Sequence, residues 1–252
     1  MSDPDHPTDP GRRRTLTVLA GLACLPLADG APDARAARHR WTGSALGARA
    51  EMLFADAAPD AAEAAATACA AEVARLEAIF SLWRGDSELS RLNAAGALAA
   101  PSLDLRQVLG RALELARASD GAFDPTVQPL WQRTAELAAA GRLPADGPPP
   151  RELEAARGLV DWRAVRLADG GIALGRSGMA LTLNGIAQGY ITDRVSALLR
   201  ARGFRRVLVQ LGETYALGSP SADADGWRVG AGLPGGVQDR LLIEVGVGRA
   251  RR

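Results

Sequence analysis

Between residues 61 and 80 small and apolar side chains recur at helical spacing, and Cys69, Val73, Leu76 and Phe80 fall on one stripe. The pattern predicts a helix over Ala61–Phe80 and makes Cys69 a small core residue rather than a reactive thiol. A second, short helix is expected to start at Ser87, where Asp86, Ser87 and Glu88 offer capping oxygens. A third runs from Ser102 to about Ala118, with Leu105, Leu109, Ala112 and Ala116 on one face and Gly121 just beyond its end. Ahead of these helices, residues 41–54 read as a first strand region marked by Trp41, Leu53 and Phe54.

The Pro-rich stretch 143–150 interrupts the pattern and reads as an exposed linker or long loop. Beyond it the spacing changes to that of strands. Val165–Leu167 and Ile172–Leu174 flank Asp169, Gly170 and Gly171, a hairpin signal. Met179–Leu183 reads as a strand, Tyr190–Arg202 as a helix with Ile191, Val195, Leu198 and Leu199 inward, and Val207–Leu211 as another strand. Helices followed by mostly strands predict an α+β fold, with helices packed on a mixed β-sheet.

The N-terminal segment follows neither pattern. Residues 1–11 are polar, Arg12, Arg13 and Arg14 follow, and Leu16–Leu27 is a short apolar run. About 20 residues are needed to span a bilayer as a helix, so this run is too short. Basic, apolar and small-residue regions in that order make an export leader over residues 1–36. Arg13-Arg14-Thr15-Leu16 resembles a twin-arginine signal, which places the mature protein in the periplasm with no stable membrane insertion.

Composition removes several chemistries. Lys+Arg total 30 and Asp+Glu 29, a net charge of +1 that excludes a nucleic-acid binder working by bulk charge. All the cations are Arg, so Schiff-base chemistry and a P-loop lysine are absent. The two His, His6 and His39, lie in the first forty positions, and the two Cys are Cys24 and Cys69. A Ser-His-Asp triad, a His-rich zinc site and a disulfide framework all lack parts. Carboxylates, hydroxyls, Arg, backbone dipoles and a bound metal or cofactor remain.

Three segments could carry such chemistry. Thr182–Tyr190 stands between an expected strand and helix, and its Gly185 and Gly189 allow close backbone approach. It is either a tight turn or a cradle for phosphate at a helix N-terminus. Asp120–Val127 places Phe123 beside Asp124 in a rigid turn, a pair that could stack on a planar ring and bond its edge. Phe80–Ser87, followed by Ser90–Asn93, contains Trp83, either a core aromatic or a ligand contact.

In order and spacing, Phe80–Asn93, Gly121–Val127 and Gly185–Asp193 together resemble the ApbE family, the FAD:protein FMN transferases, and Val207–Glu213 matches the next stretch of the pattern. The resemblance covers roughly residues 41–235 of a domain that runs over 41–252. It implies an ApbE-like (T-fold-like) architecture and a Mg²⁺-dependent enzyme using FAD. The FMN half would pass to a Thr or Ser hydroxyl of an acceptor flavoprotein, with release of AMP. On matching positions, Leu46, Trp83, Ala122, Phe123, Asp124, Thr182 and Gln188 would contact FAD, and Gly185 would give the metal a backbone carbonyl. No catalytic side chain is assigned.

The family usually has Asp at the position of Thr182 and Lys or Glu at that of Gln188, so two charges near the ligand are replaced. It also continues past Val245 into a His-x-x-x-Pro-x-x-Gly segment and the Asp and Thr ligands of the metal, whereas this chain ends in Arg249–Arg252. The resemblance thus implies a C-terminally incomplete chain with impaired transfer. The alternative is a non-catalytic periplasmic protein that binds FAD during flavoprotein maturation.

Overall fold

The computed structural model describes residues 38–45, 48–55, 57–145, 147–211, 214–221, 224, 226–232 and 240–246. Residues 1–36, expected to be a leader, and Leu46 lie outside them.

The first strand region is a hairpin, β1 (Arg38–Ala45) against β2 (Ala48–Ala55). Along β2 the buried positions Ala50, Met52 and Phe54 alternate with partly exposed Glu51 and Leu53, the period of a sheet with one face on a core. That face receives α1 (Pro59–Phe80), whose buried stripe holds Ala62, Ala66, Cys69, Val73 and Leu76 as the spacing predicts. Burial pushes the Cys69 thiol up to about 12, so it stays protonated and serves as packing. Next come α2 (Glu88–Ala95) and α3 (Leu103–Ala118), capped by the Ser87 and Ser102 hydroxyls, which accept from Ser90 and Leu105 N–H.

Two helices escape the sequence pattern. α4 (Gln128–Ala139) and α5 (Pro150–Arg157) bracket the Pro-rich stretch, and Glu152 pairs with Arg133 and Arg142 across them. Residues 143–150 therefore connect two packed helices and do not separate domains. A small sheet of β3 (Ala97–Leu98), β4 (Val165–Ala168) and β5 (Gly171–Leu174) contains the expected hairpin.

The last long helix, α6 (Asn184–Ala201), begins six residues before the expected Tyr190. It lies over the main sheet, whose order is β1-β2-β6-β7 with β6 (Val207–Gln210) and β7 (Thr214–Leu217). The register sets Met52 opposite Val209 and Phe54 opposite Val207. Leu208 points to the other face, where Ala55, Ala216 and Trp227 form a second small cluster. A separate ribbon pairs β8 (Gly226–Gly232) with β9 (Arg240–Gly246).

The α+β class holds, but every pairing among the described strands is antiparallel, so the expected mixed sheet is corrected. The cause is local. Met179–Leu183 has the burial of a strand but joins no sheet, so the expected β-α-β run does not form. Among the described residues no helix is long and apolar enough to cross a membrane.

Candidate functional site

Met179–Leu183 leads into the site. In place of a neighbouring strand it has the Asn93 side chain, which donates to Leu181 O at 2.9 Å and accepts from Leu181 N–H at 2.7 Å. One amide thus substitutes for a strand ladder at that residue. The Thr182 N–H donates to Pro125 O at 2.8 Å, which draws this segment against the Asp120–Val127 turn.

That turn begins where α3 stops. Asp120 and Gly121 both take positive φ, 49° and 83°. Asp120 N–H returns to Arg117 O at 3.3 Å and Gly121 N–H to Ala116 O at 2.8 Å. This is a Schellman closure in which Asp120 takes the first left-handed position and Gly121 the next. The chain then reverses into Ala122, Phe123 and Asp124.

Phe123 packs on the first turn of α6. A Cβ placed on Gly185 would stand 3.2 Å from the Phe123 ring, so glycine there permits close approach of helix and ring. The N-cap residue of α6, Leu183, offers no capping side chain, and the Asn184 N–H is met instead at 3.3 Å by Thr182 Oγ1. Around this junction lies a cleft of about 320 Å³, lined by Gly121–Pro125, Val127, Val160, Thr182 and Gly185. The helix end contributes positive dipole, Phe123 a ring, and Thr182 a hydroxyl.

Of the residues singled out in the sequence, Ala122, Phe123, Asp124, Thr182 and Gly185 meet in this cleft. Gln188 is half-buried one turn further along α6 and is not part of the lining. Trp83 is 80% exposed, so the core reading fails, and it stands edge to face with Trp131 at 6.5 Å between ring centroids. Trp131, 56% exposed on α4, carries no sequence motif, and neither ring is part of the cleft lining. Leu46 lies outside the described residues.

Asp124, expected as a ligand contact, lines the cleft and is also bonded within the chain. Its Oδ1 accepts from Thr126 N–H at 2.8 Å and from the Thr126 hydroxyl at 2.6 Å, and its Oδ2 accepts from Trp162 N–H at 3.2 Å. Both oxygens are thus engaged by the chain itself. Among the described residues no group of three His, Cys, Asp or Glu side chains could hold a metal ion.

Comparison with known proteins follows the same segments. The ApbE family profile matches residues 46–248. An FAD:protein FMN transferase of Treponema pallidum is 34% identical over 191 residues, covering 68% of this chain and 51% of that protein. Its Haemophilus influenzae namesake is 24% identical over 180 residues, with the same shares. The chain spans about half the length of these two relatives. Among solved structures, the flavin transferase ApbE of Vibrio cholerae superposes with a TM-score of 0.68 at 23% identity, covering 82% of this chain and 68% of that one. The apo form of Pseudomonas stutzeri flavinyl transferase ApbE gives 0.67 at 25% identity, covering 84% and 67%. With its fold and its family profile in agreement, the chain belongs to the ApbE family.

Proposed function

We propose that this chain provides the flavin-binding cleft of an FAD:protein FMN transferase that passes FMN to a Thr or Ser hydroxyl of an acceptor flavoprotein. The observation that carries this reading is the meeting of Gly121–Pro125, Thr182 and Gly185 in one cleft at the start of α6. The positive end of the α6 dipole suits the pyrophosphate of FAD, and the Phe123 ring in the cleft lining suits its planar rings. In the transfer the acceptor oxygen bonds to the phosphorus on the FMN side. The anhydride P–O bond breaks, AMP leaves, and the hydroxyl proton is released.

Mg²⁺ would neutralise pyrophosphate charge in such a reaction. It normally takes one or two carboxylates besides substrate phosphates. The described residues offer it Gly185 and an Asp124 whose oxygens are already engaged. That set does not fit the ion, so these residues are assigned binding and orientation alone. The same donor set favours a second reading, a protein that holds FAD during maturation without transferring it.

The test incubates the purified chain with FAD, Mg²⁺ and an acceptor carrying a Thr flavinylation site, then reads covalent flavin fluorescence on a denaturing gel. A fluorescent acceptor supports transfer. A dark gel with FAD bound in solution overturns transfer in favour of the binding protein. Residues 1–36 are read as an export leader, supported by Arg12–Arg14 ahead of the apolar run. Periplasmic protein lacking those residues is the expected product, and cytoplasmic protein with an intact N-terminus would overturn it.

A further inference from the structure

One wall of the cleft is Val160, which belongs to the segment from Gly158 to Trp162. Leu159 anchors it on the core, but Val160 and Asp161 at the cleft are only half-buried and Arg163 is exposed. A continuous set of hydrogen bonds holds that part. From outside, Arg176 donates to Gly158 O at 2.9 Å and to Asp161 Oδ2 at 2.5 Å, bridging both sides of Val160. From inside, Asp161 N–H donates to Thr126 Oγ1 at 2.8 Å. The fully buried Thr126 hydroxyl donates in turn to Asp124 Oδ1 at 2.6 Å, and Asp124 Oδ2 accepts from Trp162 N–H.

We propose that Arg176, Asp161 and Thr126 are positioning residues for the ligand cleft, and that the Asp124 carboxylate sets the shape of the Phe123 turn instead of touching the ligand. The Thr126 hydroxyl is the joint: one oxygen donates to the turn and accepts from the wall. Without it the Asp161 N–H loses its partner, and the distance between Phe123 and Val160 is no longer fixed. Arg176 acts at one remove, from a site outside the lining. This inference rests on the flavin-binding reading above.

The test measures FAD and FMN affinity of the whole chain by quenching of flavin fluorescence, with a melting curve for each variant. Thr126→Val keeps the side-chain shape and removes the hydroxyl; affinity is expected to fall about tenfold or more. Thr126→Ser restores the hydroxyl and is expected to stay within about twofold of the parent, a rescue that a packing role for the methyl group would not give. Arg176→Gln, at the half-exposed outer end, is expected to weaken binding about threefold to fivefold with the fold retained. Equal losses in Thr126→Ser and Thr126→Val overturn the proposal. Should Thr126→Val fail to fold, unchanged affinity in Arg176→Gln overturns it by itself. A parent chain that binds flavin without transferring it ends the transferase reading and leaves the positioning role standing. One that binds no flavin overturns both.

Discussion

Behind α6, Met52, Phe54, Val207 and Val209 are completely buried, and Phe54 meets Phe204 edge-on at 5.3 Å. In front of it, the cleft segments touch through single hydrogen bonds: Thr182 to Pro125, Asp161 to Thr126, Trp162 to Asp124. The first region is stabilised by area removed from water, which is non-directional and tolerates small shifts. The second is fixed by directional bonds whose loss moves a wall without exposing much core. One region therefore decides whether the chain folds, and the other decides the shape of what it binds. Substitutions should separate the two.

The largest separation is expected from Phe54→Ala. It removes a fully buried ring from the sheet face, at a cost of about 3–5 kcal/mol, a large fraction of the roughly 5–15 kcal/mol that stabilises a folded domain. Urea unfolding followed by circular dichroism measures it. A loss below about 1 kcal/mol would mean that the sheet face is not the principal core.

Gly185→Val should give the converse. The added side chain meets the Phe123 ring, and overpacking of that kind costs about 1–3 kcal/mol. Because the ring lines the cleft, the effect should appear chiefly as a tenfold to hundredfold loss of flavin affinity, with a fall in melting temperature of only several degrees. If melting temperature falls while affinity holds, the helix–ring contact belongs to the core side of the comparison.

The same contrast explains what could be read from the residues alone. α1, α2 and α3 follow from the sequence because the apolar stripes of α1 and α3 and the capping serines of α2 and α3 lie within each helix or at its start. Met179–Leu183 carries the apolar spacing of a strand, yet its partner is the Asn93 side chain 88 residues away, a pairing that periodicity does not encode. α4 has Leu137 as its one fully buried large apolar side chain, so no stripe announces it, although Pro129 in its first turn is a start signal. The motif segments were legible through family resemblance. The engagement of Asp124 by Thr126 and Trp162 was not, since an acid in a rigid turn reads equally as a ligand contact or as a staple. Trp131 lacked a motif altogether; its exposure beside Trp83 marks it, and exposure is visible only after folding.

The smallest expected effect concerns a third polar group, which ties helices together away from the cleft. Arg75 bonds Glu72 and Asp104 at 2.8 Å each, and the Tyr190 hydroxyl donates to Asp104 at 2.6 Å, joining α1, α3 and α6. The bond from Arg75, then the one from Tyr190, hold the Asp104 carboxyl below its ordinary range, and Arg75 does the same for Glu72. Their ionised forms are favoured in the folded chain, so their contribution is present above about pH 4 and is lost as pH falls through the lowered folded values. Tyr190 runs the other way. Burial, and then its bond to Asp104, push the phenol up to about 12, so the neutral form is favoured in the fold. Its contribution is present below about pH 10 and disappears as pH rises from there toward 12. Tyr190→Phe keeps the ring against Phe80 and removes the hydroxyl, for a loss of about 1 kcal/mol at neutral pH. The alkaline decline in stability should become shallower in that variant, while flavin affinity stays within about twofold because the network does not reach the cleft lining. A marked loss of affinity in Tyr190→Phe would couple the helix network to the cleft and break the division between the two regions.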